Sequence, residues 1–217
     1  MKFIYSLLAI IALTFTGFAQ EGFYVKYETN IEATGEEGEM MAMMMNGSTM
    51  ELAANEDRTW VKTDMGTMMT MLVEYDIKKK NMLVLMSGMM GDMAFQGNPD
   101  ELDEEGANDN EDDLDIELLN ETKKILKFKC KKAIIRDYSG YEAIYWYTED
   151  FKRPEGMDQM PNQIPGLCLE MVLNQEGMTM TYTAIEVNEK ANMSDYQVVI
   201  PEGVEIQSLE DMQNMGM

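Results

Sequence analysis

The chain has 217 residues, with 40 Asp and Glu against 17 Lys and Arg, a formal net charge of −23, 25 Met and no His. A surface this acidic repels phosphate backbones and anionic head groups, which argues against nucleic acid as a partner and against electrostatic docking on a membrane. The lack of histidine removes Ser-His and Cys-His nucleophile pairs and the usual zinc and iron sites.

Lys2 precedes a nearly unbroken apolar run from Phe3 to Phe15, and Gly17-Phe18-Ala19 places small residues where a signal peptidase reads. The run is short for a hydrocarbon layer roughly 30 Å thick, so residues 1–19 are expected to be a signal peptide rather than a span. Cleavage after Ala19 would leave 20–217 as a periplasmic or secreted chain with no integral membrane span. No Cys follows the run, so a lipid-modified cysteine is not expected there.

Period-2 alternation then dominates. Phe23, Val25, Tyr27, Thr29 and Ile31 alternate with Tyr24, Lys26, Glu28 and Asn30. Met69, Met71, Val73 and Tyr75 form one face of a strand that turns at Lys78-Lys79-Lys80-Asn81 and returns through Met82, Val84 and Met86. Residues 39–45 suit a helical turn or a strand equally. Gly97-Asn98-Pro99 breaks the pattern before a run of acids without Lys or Arg from Asp100 to Asp115. Like charges this dense repel and bury nothing, so 98–118 is expected to be an acidic mobile insertion.

Beyond it, strands are expected at Ile125 to Arg136, Tyr141 to Thr148, Leu167 to Leu173, 178–183 and Tyr196 to Ile200. Turns fall at Asp137-Tyr138-Ser139-Gly140, Asn174-Gln175-Glu176-Gly177 and Pro201-Glu202-Gly203. A short helix is expected from Ser208, with Asp211 three residues on. The faces on either side of the insertion are too open to close two cores. The fold class is therefore mainly β: one curved antiparallel sheet with one or two short helices, in a single domain over 20–217.

Cys130 shares a face with the apolar residues Leu126 and Phe128, whereas Cys168 lies with Glu170, on the face opposite Leu167 and Leu169. One thiol is thus expected inward and one outward, and a disulfide between them stays open. In the acidic run, Asp109, Glu111, Asp113 and Asp115 have calcium-loop spacing. Leu114 occupies the position that needs Gly and Asn120 the position that needs Glu, so no built calcium site is expected. No phosphate-cradling glycine loop or dinucleotide fingerprint is present, so no cofactor is expected. No catalytic residue can be singled out, and the chain reads as a non-enzymatic binding protein.

Methionine is the anomaly. Thioethers fill irregular cores and adapt to varied apolar partners. Met69, Met71, Tyr75, Met178, Met180, Tyr182 and Trp146 are therefore expected to line a face for an apolar small molecule or lipidated peptide. Thioethers are also soft ligands for Cu(I) and Ag(I). Met86, Met89, Met90 and Met93, in polar glycine-rich sequence, form the alternative set, a soft-metal buffer. A third reading is an envelope module whose partner is another protein.

Asn120-Glu121-Thr122-Lys123-Lys124-Ile125, Phe128-Lys129-Cys130-Lys131-Lys132-Ala133, Ile144-Tyr145-Trp146-Tyr147-Thr148, Gly177-Met178-Thr179-Met180-Thr181 and Ile200-Pro201-Glu202-Gly203 occur in this order. The series resembles domain-of-unknown-function family 4412, secreted bacterial proteins similar in fold to the periplasmic lipoprotein-localisation factors. Ser208-Leu209-Glu210-Asp211-Met212-Gln213 resembles that family's close. The resemblance implies a half-open antiparallel barrel whose apolar concave face shelters an acyl chain or greasy peptide. It brings no catalytic residues.

Overall fold

The computed structural model describes residues 21–66, 68–89, 91–101, 115–136, 141–151, 163–175 and 177–215. Alternation of apolar and polar side chains produces strands β1 (Glu21–Ala33), β2 (Thr49–Ala54), β3 (Arg58–Asp64), β4 (Met69–Asp76), β5 (Asn81–Gly88) and β6 (Gly91–Gly97). They are followed by β7 (Asp115–Ile125), β8 (Phe128–Arg136), β9 (Glu142–Thr148), β10 (Leu167–Gln175), β11 (Met178–Asn192) and β12 (Ile206–Ser208). Helix α1 (Glu36–Met45) links β1 to β2, and α2 (Leu209–Asn214) follows β12.

All twelve strands form one sheet in the order β12-β6-β5-β4-β3-β2-β1-β11-β10-β9-β8-β7. Every pairing is antiparallel except β12 on β6. The expected mainly β class with few helices is what the chain adopts. The sheet is two hairpin ladders, β2–β6 and β7–β11, joined through β1, which lies between β2 and β11.

The sheet curves strongly. Strands β1 and β8 are four places apart in the order, roughly 19 Å along a flat sheet. Yet the Phe151 ring lies 5.9 Å from Phe23 on β1 and 5.2 Å from Phe128 on β8, centroid to centroid. The face so enclosed is filled by Phe23, Val25, Tyr27, Leu52, Ile125, Phe128, Tyr145, Tyr147, Leu167 and Leu169, all buried.

The outer face is crossed by the chain after β11. Tyr196 stacks on Tyr24 at 5.3 Å and meets Trp60 at 5.3 Å. The Val198 amide donates to the Glu74 carboxylate at 2.9 Å, and Arg58 donates to the Met193 carbonyl. The segment 196–200 is therefore extended but not a strand, because it lies across the ladder rather than beside it. It leads to β12 at the far edge. There α2 folds Leu209 onto Val84, Met86 and Phe95 on the inner face. Ser208 caps α2 through a reciprocal bond with Asp211, as its spacing foretold.

Several sequence expectations shift. The ambiguous stretch 39–45 is helical. What read as one strand from Ile125 to Arg136 is interrupted by a turn at Leu126-Lys127, with Leu126 at φ 51°. Both ends of the segment expected as an insertion, 98–118, are structured. Pro99–Glu101 forms a 3-10 turn, Lys80 pairs with Asp100 at 2.6 Å, and 115–118 already belong to β7 opposite Arg136 to Ala133. Residues 102–114 lie outside the described residues, as do the expected signal peptide and the turn at 137–140.

Candidate binding face

Strand register decides which side chains share a face. Met93 lies opposite Met86, Met86 opposite Met71, Met71 opposite Thr63, Thr63 opposite Met50, and Met50 opposite Tyr27. In the other ladder Ile31 lies opposite Met180, Met180 opposite Leu173, Leu173 opposite Ala143, and Ala143 opposite Ile135. Thr29, Tyr182, Met171 and Tyr145 form the adjacent row. These rows run on one face, the face that closes on the Phe151 core.

Burial along this face is graded. Toward the end carrying Phe23, Phe128 and Leu167 the side chains of β1 and β8 to β10 are buried, whereas Tyr75 and Met82 on β4 and β5 are half-buried there. Toward the opposite end Met50, Met69, Met71, Met93, Met171, Met178, Met180 and Tyr182 are half-buried. That second end is also where β1 runs into α1, β3 into β4, β5 into β6 and β10 into β11. Its connections expose Met43 and Met89, 86% and 88% accessible, together with Met40, Met44 and Met68. The rim thus continues the methionine lining outward. Helix α1 is held there by Asn46, whose amide donates to the Ile31 carbonyl at 3.1 Å.

Six of the seven side chains expected to line a ligand face share this face: Met69, Met71, Tyr75, Met178, Met180 and Tyr182. They are divided between the two ladders. Met69 and Met71 pack with Val84, Met86 and Phe95, whereas Tyr182 packs with the Phe151 core. Tyr182 directs its hydroxyl at the Met180 sulfur, 2.8 Å away, and burial raises its pKa above the ordinary tyrosine value.

Trp146 is the exception. It lies opposite Lys132 and Glu170, one residue out of phase with the inward Tyr145. It still packs against the Phe23 to Leu169 core cluster, and the amines of Lys123 and Lys132 sit 5.6 and 5.9 Å from its ring. Lys123 also donates to both Glu170 oxygens at 2.7 Å. An aromatic in a strand has no preferred side, and only the register of Ala143, Tyr145 and Tyr147 fixes which way residue 146 points.

The alternative metal set does not assemble as written. Met86 and Met93 are direct cross-strand neighbours, but Met89 stands in solvent at the hairpin tip, and Met90 is outside the described residues. Met71 and Met50, which complete the row, were reachable only through register. Among the described residues no group of three or more Cys, Asp or Glu side chains is placed to hold a metal ion.

The cysteines also correct the sequence reading. Both are fully buried, and no disulfide joins them. A register irregularity between Cys168 and Glu170 breaks the alternation, so Leu167, Cys168 and Leu169 all turn inward. Burial pushes the Cys130 thiol up to about 11.

The described chain is therefore an open, curved antiparallel sheet with an apolar inner face, and no helix in it is long and apolar enough to cross a membrane. The sequence profile described as "N-glycanase peptide, N-terminal domain" matches residues 108–210. A solved structure titled "Structure of PNGF-II in C2 space group" is 17% identical, with 90% of this chain aligned to 32% of that one at a TM-score of 0.50. The chain thus shares a fold with a segment of that protein and spans about a third of its length. A second crystal form of PNGF-II aligns at 15% identity, over 90% of this chain and 33% of that one, with a TM-score of 0.48. No curated protein matches the sequence.

These findings overturn the resemblance to domain-of-unknown-function family 4412: the profile that matches is that of the N-glycanase peptide N-terminal domain. The LolA superfamily protein NE2245 from Nitrosomonas europaea aligns at 8% identity over 85% of this chain and 90% of that one, with a TM-score of only 0.21. The quoted motifs mark strand and turn chemistry that unrelated antiparallel sheets share. That is why they misassigned the family while the fold class held.

Proposed function

We propose that the chain is a non-enzymatic, exported binding module that receives an apolar ligand, an acyl chain or lipidated peptide, on the half-buried end of its inner face. One observation carries this reading: six of the seven expected lining residues share an apolar face, and five of them are half-buried toward a rim of exposed methionines. Flexible thioethers conform to greasy partners of varied shape, and the filled opposite end gives such a ligand a floor. Titration with a fluorescent fatty acid tests it. Saturable binding that weakens at least tenfold in Met180→Asp, with the fold unchanged by circular dichroism, is the expected result. A folded sample with no saturable uptake overturns it.

The profile match favours a second reading. A module of the kind that forms the N-terminal domain of an N-glycanase peptide could work beside glycopeptides rather than lipids. We regard this chain as the accessory part and not as the glycanase, because sequence and geometry single out no acid–base pair. Incubation with an N-glycosylated protein should release no glycan. Release by the purified chain, abolished by a single Asp or Glu substitution, would reverse that assignment.

A further inference from the structure

We propose a soft monovalent metal site, for Cu(I) or Ag(I), formed by the thioethers of Met71, Met86 and Met93 on adjacent strands β4, β5 and β6. The argument is independent of the apolar-ligand reading. It begins with a concentration of sulfur. Val84, Met86, Phe95 and Leu209 form a buried cluster, and Met69, Met71, Val73, Met82, Met93 and Met212 pack against it. Six of those ten residues are methionine.

Register then brings three of them together. Met71 and Met86 are direct partners, and so are Met86 and Met93. Directly opposed Cβ atoms lie about 4.5–5.5 Å apart, so three flexible side chains on one face can converge their sulfur atoms on a shared point. The row two residues further along is Val73, Val84 and Phe95, an ordinary β-sheet core. Only in the Met71, Met86 and Met93 row does methionine fill all three positions, although it specifies a packed core less well than such side chains do.

Next toward the rim come Met69, Gly88 and Gly91. A Cβ on Gly88 would lie 2.5 Å from the Met68 carbonyl oxygen, so glycine there lets the β3–β4 turn fold close to the row. Apart from its chain neighbours, no described atom lies within 4 Å of where a Cβ on Gly91 would stand, and Met93 in the row is half-buried rather than sealed off.

The chemistry fits a soft cation. Thioethers are neutral, stay unprotonated at ordinary pH and prefer Cu(I) and Ag(I) to hard divalent ions. Binding forms metal–sulfur bonds without oxidising or reducing either partner. The chain's net charge of −23 raises the local concentration of cations near the rim.

Silver nitrate titrated calorimetrically into the purified chain, in chloride-free buffer, tests the site. Saturation at one silver ion per chain is expected. The triple variant Met71→Leu, Met86→Leu, Met93→Leu conserves volume and apolarity and should bind at least roughly tenfold more weakly, since even outer-shell changes at metal sites cost about 10- to 100-fold. Met178→Leu with Met180→Leu, in the other ladder, should leave silver affinity unchanged, as should Cys130→Ala with Cys168→Ala. If the triple variant fails to fold, Met93→Leu alone, at a half-buried site, should still weaken binding. Unchanged affinity in the methionine variants, or loss confined to the cysteine variant, overturns the proposal. Fatty-acid uptake measured on the same samples reports on the apolar-ligand reading separately.

Discussion

The Tyr27 hydroxyl on β1 donates to the backbone carbonyl of Cys168 on β10 at 2.6 Å, spanning strands that do not pair with each other. Tyr27 is 2% exposed, so this bond pins the curvature of the sheet from inside. Tyr27→Phe removes the donor and keeps the ring. It should cost about 1–3 kcal/mol in urea unfolding, the penalty for leaving a buried acceptor short of its partner.

The same interior makes the protein sensitive to alkali. Burial raises the Cys130 thiol from 9.0 to about 11, and desolvation likewise raises Tyr27 and Tyr145 above the ordinary value of 10.0. The folded state therefore keeps protons that the unfolded chain releases. Stability is fully present below about pH 9 and declines as pH climbs past the unfolded values toward the folded ones. Urea midpoints taken from pH 7 to pH 11 should fall, with tyrosinate absorbance rising together with unfolding. A flat profile would contradict the burial of these groups.

Gly166 precedes β10 with φ +87°, and a Cβ there would lie 2.1 Å from the Thr148 carbonyl oxygen. Gly166→Ala meets both a left-handed backbone and a backbone clash that no rotamer change relieves. The loss should reach at least about 2 kcal/mol, read from the thermal midpoint. Gly203 shares the positive φ but has nothing within 4 Å, so Gly203→Ala should cost distinctly less.

On the outer face, Tyr196 joins Tyr24 and Trp60. Aromatic pairs contribute about 0.5–1.5 kcal/mol each beyond burial, so Tyr196→Ala should lower stability by about 2 kcal/mol. It should also loosen the crossing segment selectively. Hydrogen exchange at Val198, whose amide is held by Glu74, should quicken more than exchange within β1.

Much of this architecture is legible in residue order, and the failures have identifiable causes. Alternation located most strands because each has one buried and one wetter face. Ser208 and Asp211 announced α2. The turn at Leu126-Lys127 escaped notice because neither residue carries the Gly or Asn chemistry that marks a left-handed position. The start of β7 was hidden inside the acidic run, since an edge strand tolerates charge on both sides. Tyr196 to Ile200 alternates like a strand yet packs crosswise. Cys168 turned inward because a register irregularity overrides period 2. Six of the residues expected to line a ligand share one face, which local alternation could indicate. Their partition between two ladders, the register of Trp146 and the place of Met50 in the row all depend on long-range pairing that no local window contains.

The placement of β1 has a consequence for how the molecule assembles. The ladders on either side can zip up from neighbouring strands, most of them joined by short connections, the link from Thr148 to Leu167 being the long exception. The β1–β11 seam instead joins partners from 145 positions apart, Ala33 with Met178, to 171 apart, Glu21 with Asn192. Such a distant pairing is entropically slow to reach, so it belongs to the late, rate-determining stage of folding. Until β11 emerges from the ribosome, β1 has only β2 beside it, and its other hydrogen-bonding edge awaits a partner made long after it.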